Sequence, residues 1–118
     1  LKKSIDSHRK LQKVFREQDI RRVLVDILQA LSELHSIDIV HLDIKPDNIL
    51  ISQKGTYKLS DFGLSRRIEL LCGEDITEGD SRYIPREILN NSNADEVPDL
   101  TKADIFSLGI TIFQLISL

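Results

Sequence analysis

Apolar residues recur at three- and four-residue intervals from position 20 to position 34: Ile20, Leu24, Ile27, Leu28, Leu31 and Leu34. That spacing lays them along one side of a helix, and it predicts a helix over residues 17–35. Asp19 stands where an N-cap carboxylate could accept from the first free amides. His35 sits near the far end, where a cation suits the helix dipole. Residues 1–13, ahead of this helix, are polar and basic and read as a short helix and connector. Beyond it the period changes to short β-branched runs: Ile39-Val40, Ile49-Leu50-Ile51 and Tyr57-Lys58-Leu59. Ser52-Gln53-Lys54-Gly55-Thr56 carries turn chemistry between the last two, so a hairpin is expected there. Residues 64–93 show no sustained period and hold Gly73, Gly79, Pro85 and the acids Glu74, Asp75, Glu78 and Asp80. A long irregular segment inside a compact domain is usually functional or disordered. Residues 101–118 are apolar on every side, through Ile105, Phe106, Leu108, Ile110, Ile112, Phe113, Leu115 and Ile116. Such a helix belongs in the middle of a larger core.

Composition narrows the function classes. The chain has 118 residues, 41% hydrophobic and 30% charged, with a net charge of −3. No basic stripe marks it as a nucleic-acid binder. Cys72 is the only cysteine, so no disulfide forms within the chain, which fits a reducing compartment. Its plain reading is an incidental loop thiol. No secretory signal is expected, because Lys2, Lys3, Asp6, His8, Arg9 and Lys10 interrupt any apolar run near the start. The uncharged stretch 105–118 is 14 residues long, short of the roughly 20 a membrane span needs. It reads as a buried helix.

The chemistry concentrates in two segments. His41-Leu42-Asp43-Ile44-Lys45-Pro46-Asp47-Asn48 falls between a helix-strand unit and the hairpin, and Asp61-Phe62-Gly63 follows the hairpin. Polar residues on a loop held by rigid neighbours are a common way to build a site. Phosphoryl transfer from a nucleotide asks a protein mainly for positioning and charge neutralisation. Asp43 can accept the proton of a substrate hydroxyl. Lys45 can offset charge on the transferred phosphate. Asn48 offers an amide oxygen and Asp61 a carboxylate, the hard oxygens that magnesium takes. Pro46 fixes the backbone between Lys45 and Asn48. Plainer readings stand beside these. Asp43, Asp47 and Asn48 are also turn residues; His41 could be structural, Phe62 a packing residue, and the acidic run a solvated surface.

The two segments together resemble the H-R-D-L-x-x-x-N and D-F-G pair of eukaryotic protein kinases. The resemblance runs over residues 17–118. Pro85-Arg86-Glu87 stands where A-P-E closes the activation segment, and Asp104-Ile105-Phe106-Ser107-Leu108-Gly109 resembles the D-x-W-S-x-G start of the central helix. It implies an α+β, protein-kinase-like fold, here a mainly helical C-terminal lobe with short β-hairpins. It implies Asp43 and Lys45 as catalytic residues. Lys45, Asn48, Leu50 and Asp61 would contact ATP, and Asn48 and Asp61 would hold Mg²⁺. A structural role is implied for His41. No G-x-G-x-x-G joins the glycines at 55, 63, 73, 79 and 109, and no V-A-I-K lysine precedes the loop. The expectation for residues 1–118 is therefore a partial kinase domain without an N-terminal lobe, which alone would bind ATP weakly and fold poorly.

A narrower likeness is to the Wee/Myt kinases, which inhibit cyclin-dependent kinases. It rests on Val40-His41-Leu42-Asp43-Ile44-Lys45-Pro46, on Glu78-Gly79-Asp80-Ser81-Arg82-Tyr83 with Glu87, and on Thr101-Lys102-Ala103-Asp104-Ile105-Phe106. In it Asp80 takes the place where serine/threonine kinases put a threonine beside the catalytic aspartate. It implies a protein substrate, a cyclin-dependent kinase among the candidates, a role in cell-cycle control, and a nuclear or cytoplasmic location; charge and composition, for their part, indicate no nucleic-acid and no membrane partner. Two other readings stand against it: an inactive kinase-derived fragment or pseudokinase that serves as a binding module, and a small-molecule phosphotransferase on a related scaffold. Lys45 is of the serine/threonine type, and Arg86 replaces a small or polar residue before Glu87.

Leu42 stands where the kinase pattern has an arginine that would pair with a phosphorylated activation loop. Activity of the full-length protein should therefore survive removal of phosphate from Ser65, Thr77 and Ser81. Phosphatase treatment of the active protein checks this; a collapse in rate would reveal a charge-paired switch.

Overall fold

A computed structural model describes residues 1–70, 80–89 and 98–117. Cys72, Glu74, Asp75, Thr77 and Glu78 lie outside the described residues. The element order is α1 (Lys2–Lys10), α2 (Glu17–Ser36), β1 (Ile39–Val40), β2 (Ile49–Ile51), β3 (Tyr57–Leu59), β4 (Arg66–Arg67), α3 (Arg86–Leu89) and α4 (Leu100–Ile116). The α+β class expected from the sequence holds among the described residues. Two separate two-stranded antiparallel sheets form, β1 with β4 and β2 with β3. The second is the expected hairpin, in the register Ile49 to Leu59 and Ile51 to Tyr57. Its turn closes through Gly55, whose φ of +77° is one that L side chains rarely adopt.

Helix α2 organises the core. Val23, Ile27 and Leu31 are buried at four-residue spacing. They pack with Ile5 of α1, Phe15, Ile44, Ile49 and with Leu108 and Leu115 of α4. The apolar stripe inferred from periodicity was centred too far round. Leu28, placed in it, is 39% exposed, and Val23, left out of it, is fully buried. Apolar residues cover more than half the helix circumference here, so spacing alone cannot pick the buried side; packing against α4 and β3 picks it. Asp19 does not cap α2. The cap position is Arg16, whose side chain makes no capping bond. Asp19 lies inside the first turn and accepts from Arg16 Nε at 2.8 Å.

Helix α4 is capped by Asp99, whose carboxylate accepts from the amide of Thr101 at 3.1 Å. One side of α4, with Leu100, Ala103, Asp104, Ser107, Leu108, Thr111 and Leu115, is buried. Ile105, Phe106, Phe113 and Ile116 are exposed, so its all-round apolar character is only half used among the described residues. A second small core gathers Val40, Ile88, Leu100 and Ala103, with Leu42, Ile68 and Ile84 against it. Strand β4 had no sequence signal. It is two arginines, and it is set by pairing, Val40 to Arg66 and Ile39 to Arg67. No helix among the described residues is long and apolar enough to cross a membrane.

The corrected phase of α2 has a direct test. Ile27→Ala should cost about 2–5 kcal/mol of stability, while Leu28→Ala should cost about 1 kcal/mol or less. Denaturant titration of the two variants reads the difference; equal losses would return the buried stripe to its sequence-based position.

Candidate active site

The loop from His41 to Asn48 hangs from one carboxylate. Asp104 is fully buried on α4. Its Oδ2 accepts from the His41 amide at 2.9 Å and its Oδ1 from the Leu42 amide at 2.8 Å. Nε2 of His35, at the end of α2, donates to Oδ2 at 2.9 Å. His35 therefore does more than sit near a helix end: it joins α2 to α4 under the loop. Leu42 has φ of +63°, a left-handed backbone that costs a non-glycine residue roughly 1–2 kcal/mol. Charge-assisted bonds on either side of that peptide offset it. The Leu42 side chain turns into the second core, so an apolar contact replaces the charge of the usual arginine.

His41 is a strut, as the resemblance implied. It is fully buried. Its Nε2 donates to the Ser60 carbonyl at 3.1 Å, so Nδ1 is the acceptor for the Asp43 amide at 3.3 Å. Phe62 meets its ring edge-on, centroids 5.0 Å apart. Ser60 was missed by sequence reasoning. Its amide and hydroxyl both donate to the Asn48 carbonyl, at 2.9 and 3.0 Å. Ser60 thus ties both ends of the loop to the segment that carries Asp61. The one signal for it was its place at the hairpin's exit, directly before Asp61.

Asp43, Lys45 and Asn48 are brought together by direct bonds. Lys45 Nζ lies 2.9 Å from Asp43 Oδ1. Asn48 Nδ2 donates to Asp43 Oδ2 at 2.7 Å and to its carbonyl at 2.8 Å. Both amide hydrogens of Asn48 are spent, and its amide oxygen makes no hydrogen bond among the described residues. Pro46 opens the 3₁₀ turn Pro46–Asn48 that swings Asn48 back under Asp43. The hydrogen bond to Asp43 raises the Lys45 pKa; burial opposes this, and the charges of Asp43, Asp80 and Asp47 add to it. Lys45 therefore remains cationic.

Asp61 also has a left-handed backbone, φ +61°, with Oδ1 accepting from the Gly63 amide at 3.3 Å. A Cβ on Gly63 would come within 3.2 Å of that oxygen, so glycine there leaves the carboxylate its place. Asp61 is exposed. Leu50, expected to contact a nucleotide, is exposed on β2 opposite Lys58, outside this network. Among the described residues no group of three His, Cys, Asp or Glu could hold a metal. The unspent oxygens of Asn48 and Asp61 fit magnesium, which takes one or two protein oxygens and fills its shell from phosphates and water.

Asp80 lies within electrostatic reach of this loop. Hydrogen bonds from Arg82, one from Nε at 2.9 Å, hold its carboxyl down to about 2, with Lys45 contributing. Asp80 is a carboxylate throughout the physiological range. The segment is fastened to α4 by the Tyr83 hydroxyl, which donates to Gln114 at 2.8 Å, and by the Ser107 hydroxyl, which donates to the Tyr83 carbonyl at 2.6 Å.

A family model described as "Protein kinase domain" matches residues 2–118. The chain is 44% identical over 100 residues to a Wee1-like protein kinase of Arabidopsis thaliana, covering 85% of this chain and 19% of that protein. It is 46% identical over 94 residues to a Wee1-like protein kinase of Oryza sativa subsp. japonica, covering 80% and 17%. It is 43% identical over 100 residues to a membrane-associated tyrosine- and threonine-specific cdc2-inhibitory kinase of Drosophila melanogaster, covering 84% and 18%. The chain spans less than a fifth of the length of these relatives.

Removing the Asp104 carboxylate should orphan two backbone amides and one imidazole N–H. Each orphaned buried donor costs about 1–3 kcal/mol, so Asp104→Ala should destabilise far more than His35→Ala, which removes one donor from a carboxylate that keeps two. Thermal melts of the full-length variants check the order; equal losses would show that the loop does not hang from Asp104.

Proposed function

We propose, because the chain belongs to the protein kinase domain family, that it supplies the acceptor-activating loop of an ATP-dependent protein kinase of the Wee type. The observation that carries this is the placement of Asp43, held on one oxygen by Lys45 and on the other by Asn48. A substrate hydroxyl that approaches Asp43 meets a carboxylate of fixed orientation, ready to take its proton. Lys45 stays cationic beside it and offsets charge that develops on the transferred group. Asn48 orients Asp43 through its amide nitrogen and keeps its amide oxygen for a cation; Asp61 presents the second oxygen. Magnesium-bound ATP would supply the phosphoryl group, held by Asn48 and Asp61. Positioning of this kind is most of what phosphoryl transfer requires.

The Wee-type reading rests on the relatives and on Leu42 and Asp80, which carry its pattern. We take the substrate to be a cyclin-dependent kinase, modified on tyrosine or threonine, in cell-cycle control in the nucleus or cytoplasm. The name of the Drosophila relative describes that protein as a membrane-associated, tyrosine- and threonine-specific, cdc2-inhibitory kinase. The intact set Asp43, Lys45, Asn48 and Asp61 favours turnover over a purely scaffolding role.

In the full-length protein, Asp43→Asn should lower kcat by about 10²–10⁴-fold with little change in the KM for ATP, and Asp61→Ala should abolish magnesium-dependent transfer. Steady-state kinetics on a cyclin-dependent kinase substrate, with phosphosite mapping by mass spectrometry, reads both. Unchanged kcat in Asp43→Asn would remove the assigned base. Transfer to generic serine peptides but never to the cyclin-dependent kinase would remove the Wee-type reading alone.

A further inference from the structure

The net charge of −3 conceals a sharp segregation. Residues 1–16 hold six lysines and arginines against Asp6, a net +5, so the remainder of the chain carries −8. Arg16 is spent on Asp19. Lys2, Lys3, Arg9, Lys10 and Lys13 have no acidic partner among the described residues. A basic last turn on α1 would ordinarily be explained by the helix dipole. Here three of the last four carbonyls are already served by backbone amides: Leu11 to Ser7, Gln12 to Arg9 and Lys13 to His8, at 2.9–3.3 Å. Lys13 lies beyond the helix altogether.

Two of these cations, Arg9 and Lys13, line a concavity. A cleft of about 340 Å³ opens between the end of α1 and the end of α4, lined by His8, Arg9, Gln12, Lys13 and Ser117. Its wall is fixed. Nδ1 of His8 donates to the Ser4 carbonyl at 2.8 Å, and the imidazole stacks on Phe15, centroids 3.9 Å apart. Gln12 takes φ of +52° in the turn that leads to Lys13. Leu11 and Val14, on either side of that turn, are 64% and 70% exposed. Two cations without an acidic partner among the described residues line the concave wall, and two bare aliphatics stand on the adjoining turn; together they complement a chain that carries carboxylates and an apolar residue. A flat bilayer would not enter the concavity, and its anionic surface would repel the acidic remainder of the chain.

We propose that this cleft docks an acidic segment of the protein substrate, apart from the acceptor hydroxyl, with apolar side chains of that segment on Leu11 and Val14. The proposal rests on the kinase reading for its partner, and its test does not depend on catalysis. None of Arg9, Lys10 and Lys13 bonds to Asp43, Lys45, Asn48 or Asp61 among the described residues. Charge-led docking of this sort acts on encounter and selectivity and weakens with salt.

The test uses the full-length protein without ATP and a fluorescent peptide of alternating glutamate and leucine. The expected result is binding that falls at least tenfold in the Arg9→Glu/Lys13→Glu variant, falls less in Arg9→Ala/Lys13→Ala, and weakens from 50 to about 300 mM salt. A lysine-leucine peptide should not bind. Circular dichroism should show both variants folded, since the replaced side chains are exposed. Equal binding by wild type and charge-reversed variant, or none by either, overturns the proposal. So does tight binding to phosphatidylserine vesicles with none to the peptide, which would make the patch a membrane contact. Loss of all phosphoryl transfer with peptide binding intact would instead sink the kinase reading and leave the docking cleft standing.

Discussion

The Asp104 carboxylate accepts from the amides of His41 and Leu42 and from Nε2 of His35, and the loop from His41 to Asn48 depends on that convergence. A carboxylate with no exposure is costly to bury. It is tolerable only when its lone pairs are met, and here three donors from two other segments meet them. The arrangement also does steric work. It holds the Leu42 peptide in a left-handed conformation, which directs Asp43 onward toward Lys45 and Asn48. The core beneath, Val23, Ile27 and Leu31 against Leu108 and Leu115, keeps α2 and α4 in the relative position that this bonding requires.

A second set of bonds converts an anchored loop into a shaped one. His41 and Ser60 exchange contacts with Asn48 and Asp43, so the segment leading to Asp61 cannot move without moving the loop. In a low-dielectric setting such linked bonds reinforce one another. The consequence for function is that Asp43 needs no rearrangement to present its carboxylate. Asp61 differs: it is exposed and held mainly by its own turn, with Gly63 leaving room for its oxygen. Asp43 is thus the fixed carboxylate of the two and Asp61 the more open one.

Charge is divided as sharply as rigidity. Acids and Lys45 gather around the loop, where Asp80 is kept ionised by Arg82. The cations that have no acidic partner among the described residues gather on α1 and its exit, where Arg9 and Lys13 line a cleft bounded by the end of α4. A net charge averages these regions away, and only their positions in space reveal two surfaces of opposite character.

The α2 helix, the β2–β3 hairpin and the gathering of Asp43, Lys45 and Asn48 on one loop were legible in the sequence by itself. Period and spacing are local properties, and the chemistry of each side chain travels with the residue. Leu28 and Val23 show where that legibility stops, because an apolar surface that wraps a helix has no preferred side until a neighbour packs on it. Arg66 and Arg67 form a strand only because Ile39 and Val40 offer them an edge. Ser60 and His35 looked like ordinary polar residues, and Asp104 like the first residue of a motif. Their roles come from partners 12 to 69 positions away along the chain. Tertiary structure decided those roles, because a hydrogen bond across such a separation depends on where packing places its two ends, and no local pattern encodes that distance.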